Sequence, residues 1–92
     1  MKTAQEQTFK PGYHLSEIPK GVIGQSSKIM EELLELQDAE KQKSSIMALV
    51  ELSDLIGAVI HYLEKTHPTV SIDDLVTMSN ITRRAFENGR RN

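Results

Sequence analysis

Apolar residues in the first half of the chain recur at helical spacing, three or four positions apart. They predict a first helix from Lys20 or Val22 to about Lys41, and the glycines near its beginning also allow a start as late as Ser26 or Ser27. On a helical projection these apolar positions fill one arc of somewhat under half the circumference. They are Val22, Ile23, Ile29, Met30, Leu33, Leu34 and Leu36.

A polar stretch, residues 37–44, interrupts this pattern, and the block that follows it is apolar on nearly all sides. Short connections between helices place them antiparallel, so we predict that the chain turns back on itself here. The second helix is predicted to begin at Ser44 or Ser45 and to run to about Lys65, because His67 and Pro68 end it.

The last apolar block has its own start and stop signals. Ser71 is predicted to cap the N-terminus of a third helix, with Asp74 as its capping-box partner. This helix is predicted to reach about Asn88, with Gly89 following its C-terminus. Strand-like alternation and hairpin signals are missing from the sequence, so we predict an all-α fold, an antiparallel helical bundle.

Residues 1–18 contain Pro11, are followed by Pro19, and show no sustained periodicity of apolar positions. We therefore predict an N-terminal arm or loop before a helical domain of residues 19–92. The beginning of the chain lacks the apolar block of a signal peptide, and we expect a cytoplasmic location. Residues 46–63 have the length of a membrane span but contain Glu51 and Asp54. Because a central carboxylate costs about 2.5–3.5 kcal/mol in a bilayer, we predict a buried helix of a soluble bundle and no membrane partner.

Composition narrows the classes of function. The chain has 92 residues, enough for one small domain, and such domains often complete their cores by oligomerising. We therefore expect a homodimer or a dimer of dimers. The formal net charge is −2, without the basic excess of a nucleic-acid binder, so no nucleic-acid polymer is expected as a partner. The sequence has no cysteine, which excludes disulfides, zinc–thiolate sites and thiol nucleophiles.

Two carboxylate pairs are the candidate chemistry. Glu32 and Glu35 lie on the first predicted helix, Glu51 and Asp54 lie on the second, and each pair has i,i+3 spacing. This spacing places the two members about 60° apart and roughly one turn along the helix. If the helices fold back on each other, the carboxylates can converge on one point. Convergent carboxylates require a hard divalent cation, for which Mg²⁺ is the ordinary choice.

Each pair also has an interpretation without a ligand. On the first helix Glu31, Glu32 and Glu35 lie largely opposite the apolar arc, as a solvated acidic face would. On the second helix Glu51 and Asp54 lie within the apolar stripe, so a solvated face does not explain them. A buried ion pair with an arginine from another helix would explain them, because buried carboxylates need a cation or a full set of donors.

Lys28 is the basic residue closest to the acidic motif in the sequence. It precedes Glu31 by three positions and Glu32 by four, so we predict ion pairs within the helix rather than a phosphate contact. The histidines, His14, His61 and His67, do not have the spacing of metal ligands and are left unassigned.

The two acidic motifs together resemble those of the all-α nucleoside triphosphate pyrophosphohydrolases, the MazG-like proteins. The motifs are Glu31-Glu32-Leu33-Leu34-Glu35 and Glu51-Leu52-Ser53-Asp54, and the resemblance covers residues 21–91. It implies hydrolysis of a nucleotide between its α and β phosphates, giving a monophosphate and pyrophosphate. It also implies that the catalytic residues hold Mg²⁺, or alternatively Mn²⁺, and that these residues are Glu32, Glu35, Glu51 and Asp54.

A triphosphate substrate also requires cations or donors from the protein, and the third helix offers Asn80, Arg83 and Arg84 as substrate-binding residues. Arg83 falls inside the apolar arc of this helix, and a guanidinium on an inward face requires an anion. It either reaches the phosphates, as the basic C-terminal helix of MazG-like proteins implies, or neutralises the carboxylates when no metal is bound.

Two other functions remain open at this point. Within the same superfamily, phosphoribosyl-ATP is an alternative substrate. A different class of function is a non-catalytic helical adaptor that binds a nucleotide or a protein.

Overall fold

The computed structural model describes residues 14–87, which form three helices: α1, Ser26–Lys41; α2, Ser45–Thr66; and α3, Ile72–Glu87. No strand occurs in residues 14–87, so the all-α class is confirmed. The predicted arm enters the described part of the chain only at residue 14. The predicted end of the third helix, at Asn88 and Gly89, lies outside it.

Helices α1 and α2 form a closely packed antiparallel hairpin. The link between them is short because Lys43 adopts a left-handed φ of 58° and the N–H of Ser44 reaches back to the carbonyl of Ala39 at 3.1 Å. The Ser44 hydroxyl then accepts from the N–H of Met47 at 3.2 Å and caps α2. Ser44 therefore ends the turn and begins the second helix, as the sequence predicted.

Small side chains are among the buried residues of both helices. Ala39 of α1 and Ala58 of α2 are each 3% exposed, and Leu63 is also buried. Methyl side chains let two helix backbones approach closely, and a larger side chain at such a point would force them apart. The packing of α1 against α2 brings polar side chains of the two helices within reach of each other.

Helix α3 is attached more loosely. Its capping box forms as predicted, since the hydroxyl of Ser71 accepts from the N–H of Asp74 at 3.1 Å and the Asp74 carboxylate accepts from the N–H of Ser71 at 2.9 Å. Its backbone approaches α2 at a few positions and does not come close to α1. Its start is thus determined locally, whereas little of its side is packed within the chain.

Helix α2 is covered on one side only. Its buried residues are Glu51, Ala58 and Leu63. Its exposed apolar residues are Ile46, Leu49, Val50, Leu52 and Ile56. By length and composition alone α2 could also cross a membrane, a criterion that core helices of soluble proteins meet as well. The predicted burial of this helix is therefore incomplete within one chain.

Residues 14–25, called the strap below, run alongside α1 before it begins. The N–H of Leu15 donates to the Asp38 carboxylate at 2.7 Å, and the N–H of Gly21 donates to Oε1 of Glu31 at 2.8 Å. A Cβ at position 21 would clash with the carbonyl oxygen of Ser27, so this approach requires glycine. The strap is thus attached to α1 at two buried carboxylates.

Candidate metal centre

The α1–α2 hairpin brings all four predicted carboxylates together. Glu32, Glu35, Glu51 and Asp54 each offer one oxygen, and these oxygens lie within 4.8 Å of one another. The i,i+3 spacing aligns the two members of each pair, and the antiparallel packing places the pairs opposite each other. The predicted convergence of these residues is what the structure shows.

Burial divides the cluster into a floor and a rim. Glu32 and Glu51 form the floor, since they are 6% and 1% exposed. Glu35 is half-buried and Asp54 is exposed, so these two form the rim. The Oε1 atoms of Glu32 and Glu51 are buried and accept no hydrogen bond from the residues that the structure describes. Because an unpaired buried acceptor costs about 1–3 kcal/mol, and a charged one more, the floor requires a cation or protons.

Protons meet part of this requirement in the metal-free protein. Burial raises the pKa of Glu35 to about 8, and a hydrogen bond with Glu51 and the charges of Glu32 and Glu51 add to this effect. Burial also raises the pKa of Glu51; the hydrogen bond with Glu35 opposes that rise, and the charge of Asp54 adds to it. These effects favour a proton on Glu35, beside Glu51, at neutral pH.

Lys28 forms the ion pairs that the sequence predicted. Its Nζ lies 3.1 Å from Oε1 of Glu31 and 3.3 Å from Oε2 of Glu32. Burial would lower the pKa of Lys28, but hydrogen bonds and charges of these two glutamates raise it above its ordinary value. Burial likewise works against the charged form of Glu31, yet hydrogen bonds from Gly21 and Lys28 hold the pKa of Glu31 below its ordinary value. A solvated acidic face is thus the wrong interpretation for Glu31 and Glu32, which are both buried.

Sequence reasoning missed two residues close to the cluster. Asp38 is 2% exposed and holds the strap through Leu15, and Nδ1 of His14 lies 3.5 Å from Oδ2 of Asp38. The charge of His14 also acts to lower the pKa of Glu51. One signal for Asp38 was available, because it follows Glu31 by seven positions and so lies on the same face of α1.

The predicted substrate-binding residues are on α3, whose backbone does not come close to α1. Asn80, Arg83 and Arg84 are all exposed on α3. The inward orientation predicted for Arg83 is wrong within this chain: its side chain is 66% exposed and pairs with Glu87 at 3.4 Å. The apolar arc of α3 has little to pack against, so position within it does not imply burial. Neither arginine pairs with the four carboxylates in the part of the chain that the structure describes, and the interpretation of Glu51 as half of an arginine ion pair has no support there.

The cluster fits a small divalent cation. Ligands on opposite sides of Mg²⁺ are separated by about 4.2 Å, twice its bond length of about 2.1 Å. The four oxygens lie within 4.8 Å of one another, which is close to that separation. The donors are all carboxylate oxygens, which Mg²⁺ and Mn²⁺ prefer. The unpaired oxygens of Glu32 and Glu51 are the observation that distinguishes this cluster from an ordinary acidic surface.

Comparison with protein-family models, curated proteins and solved structures finds no match to this chain.

Proposed function

We propose that this chain is a Mg²⁺-dependent nucleotide pyrophosphohydrolase. Its substrate would be a nucleoside triphosphate, which water cleaves between the α and β phosphates to a monophosphate and pyrophosphate. The observation that carries the proposal is the pair of unpaired, buried oxygens on Glu32 and Glu51 in a cluster of four convergent carboxylates. The similarity of the motifs to MazG-like proteins supplies the reaction class.

The floor and the rim of the cluster suggest different tasks. Glu32 and Glu51 are the residues that would hold the cation, because their free oxygens are buried. Bound Mg²⁺ would neutralise charge on the phosphates and lower the pKa of a coordinated water. Glu35 and Asp54, at the rim, lie where substrate and water would enter. A rim carboxylate can accept the proton that the attacking water releases, which is ordinary general base catalysis.

Binding of the triphosphate would require Asn80, Arg83 and Arg84 to approach the cluster. Helices α1 and α3 do not contact each other within the chain, so we propose that α3 of a second copy provides these residues. The same association would cover the exposed apolar side of α2, which a monomer rarely leaves open. A homodimer is the smallest assembly that meets both requirements.

The first experiment measures pyrophosphate release from a panel of nucleoside triphosphates and phosphoribosyl-ATP, with and without Mg²⁺. We expect Mg²⁺-dependent release, and a loss of about 100-fold or more in Asp54→Asn and in Glu51→Gln. Glu64→Gln is the matched control, since Glu64 is an exposed carboxylate on the same helix. Light scattering of the same preparation should give at least twice the chain mass of 10.4 kDa.

Melting curves separate an enzyme from an adaptor and from an acidic cluster without metal. Asp54→Asn should be as stable as the wild type in EDTA or more so, because it removes one of several repelling charges. Mg²⁺ should raise the melting temperature of the wild type more than that of the variant. If Mg²⁺ stabilises neither protein, the proposed metal centre is absent; if it stabilises the wild type but no substrate is cleaved, the chain is a binding protein.

A further inference from the structure

The four carboxylates have one neighbour whose position limits how they can bind a cation. Lys28 lies one turn before the acidic motif, and its Nζ is 3.3 Å from Oε2 of Glu32. Oε1 of the same carboxylate is buried and unpaired. Glu32 therefore has one oxygen engaged by a cation of the protein and one oxygen free.

Lys28 is itself held in place by the strap. Its Nζ lies 3.1 Å from Oε1 of Glu31, and the same Oε1 accepts from the N–H of Gly21 at 2.8 Å. Glu31 is buried, and Gly21 approaches the backbone of Ser27 so closely that no side chain fits there. Gly21, Glu31, Lys28 and Glu32 thus form a continuous chain of contacts from the strap to the floor of the cluster.

We infer that Lys28 is a positioning residue that restricts Glu32 to binding a cation through one oxygen, and that it thereby makes the centre selective for Mg²⁺ over Ca²⁺. The inference rests on the proposed metal centre and goes beyond it by assigning its ion preference to a residue that touches neither metal nor substrate.

The chemistry of the two ions gives this restriction its effect. Mg²⁺ takes six ligands in a tight octahedron, whereas Ca²⁺ takes six to eight oxygens at longer distances and often binds a carboxylate through both oxygens. A carboxylate held to one free oxygen suits the first ion and leaves the second short of ligands. Without Lys28, both oxygens of Glu32 become free to coordinate.

The ratio of the Ca²⁺ and Mg²⁺ affinities distinguishes a restriction of Glu32 by Lys28 from the electrostatic effect of the Lys28 charge. Removing the Lys28 ammonium strengthens the attraction of the cluster for any divalent cation, and this contribution is similar for Mg²⁺ and Ca²⁺ because their charges are equal. An increase in the number of oxygens that Glu32 can offer strengthens the binding of Ca²⁺ more than that of Mg²⁺. The ratio of dissociation constants is therefore a readout that an electrostatic or merely structural role of Lys28 would not move.

The test is calorimetric titration of the metal-free full chain with MgCl₂ and, separately, CaCl₂. In Lys28→Met the ratio of the Ca²⁺ to the Mg²⁺ dissociation constant should fall about ten-fold relative to the wild type, the value of one charge-assisted hydrogen bond. Lys28→Arg, which keeps a charged donor, should retain most of the wild-type preference. Lys41→Met is the matched control, because Lys41 is an exposed lysine on the same helix, and it should leave the ratio unchanged.

Gly21→Ala provides a second route to the same result. The added Cβ displaces the strap from Glu31, which loosens Lys28 without removing its charge, so the ratio should fall by about three-fold. This variant decides the matter if Lys28→Met does not fold. Wild-type binding of Mg²⁺ with an unchanged ratio in these variants would overturn the role of Lys28 alone. A wild-type chain that binds neither ion would overturn the metal centre and this inference with it.

Discussion

The α1–α2 hairpin buries charged side chains, whereas α3 exposes them. Glu31, Glu32, Asp38 and Glu51 are all buried in the hairpin, each with a backbone donor, a lysine, a proton or a candidate cation to balance it. On α3, Arg83 pairs with Glu87 at the surface. Burying a charge is costly unless something compensates it, so the hairpin carries the physical requirement for a ligand and α3 does not.

Substitutions in the two regions should differ most in their effect on stability. Ala58→Leu inserts a larger side chain at a buried position of α2, and we expect a loss of about 1–3 kcal/mol in the free energy of unfolding. Met78→Ala, at a position of α3 that is 59% exposed, should cost less than about 0.5 kcal/mol. Urea denaturation in EDTA measures both. A comparable loss in Met78→Ala would place Met78 in the interface of the proposed homodimer.

The stability of the folded chain should depend on pH through a carboxyl group of the hairpin. The pKa of Glu35 is about 8 in the folded protein and 4.5 as its ordinary value, so the folded chain binds this proton more tightly. The resulting stabilisation is present below pH 4.5 and is lost as the pH rises towards 8 and beyond. Because Glu35 is only half-buried, solvent screens the effect, and we expect a loss of about 1 kcal/mol between pH 5 and pH 9, or roughly 4–8 °C in melting temperature.

Melting in EDTA across this range tests the assignment to Glu35. Glu35→Gln should flatten the profile, whereas Glu64→Gln, an exposed carboxylate, should leave it unchanged. Saturating Mg²⁺ should also reduce the loss at high pH, since a cation takes the place of the shared proton. A profile that stays equally steep in Glu35→Gln would assign the proton to another group.

The smallest effect is expected at the surface of α3. Arg83→Ala removes an exposed i,i+4 ion pair with Glu87, and such pairs contribute about 0.3–0.5 kcal/mol. A double-mutant cycle with Glu87→Ala measures the coupling directly. A coupling near this value together with a much larger loss in Arg83→Ala alone would reveal a second partner for the guanidinium, as a site shared between two copies requires.

Local signals were sufficient to predict most helix ends. Ser44 caps α2, and the reciprocal bonds of Ser71 and Asp74 begin α3, as the residue types indicated. The beginning of α1 was less determined. The N-cap is Gln25, which makes no side-chain cap, while the hydroxyl of Ser27 accepts from the N–H of Val22 in the strap. A serine that meets a neighbouring segment cannot be distinguished from a cap by its sequence position.

The carboxylate cluster could be predicted from two features of the sequence. The i,i+3 spacing aligns the carboxylates within each helix, and the polar turn folds one helix onto the other. The roles of Asp38, His14 and Arg83 could not, because they depend on what packs beside them. Asp38 lies in the stretch predicted as a polar turn, yet it is buried under the strap. Arg83 lies within the apolar arc of α3, yet residues 14–87 provide no surface that buries its side chain.

The attachment of the strap to α1 has a consequence for how the chain tolerates change. Leu15 contributes its N–H to Asp38 while its side chain is 64% exposed, and Gly21 contributes its N–H to Glu31. Both bonds use the backbone, which every residue except proline can supply. At these two positions α1 therefore holds the strap through its backbone, while His14 adds a side-chain contact with Asp38. Position 15 should accordingly accept most residues, whereas position 21 is restricted to glycine. The position of the strap on α1 therefore depends on the two carboxylates, Glu31 and Asp38, more than on the side chain at position 15.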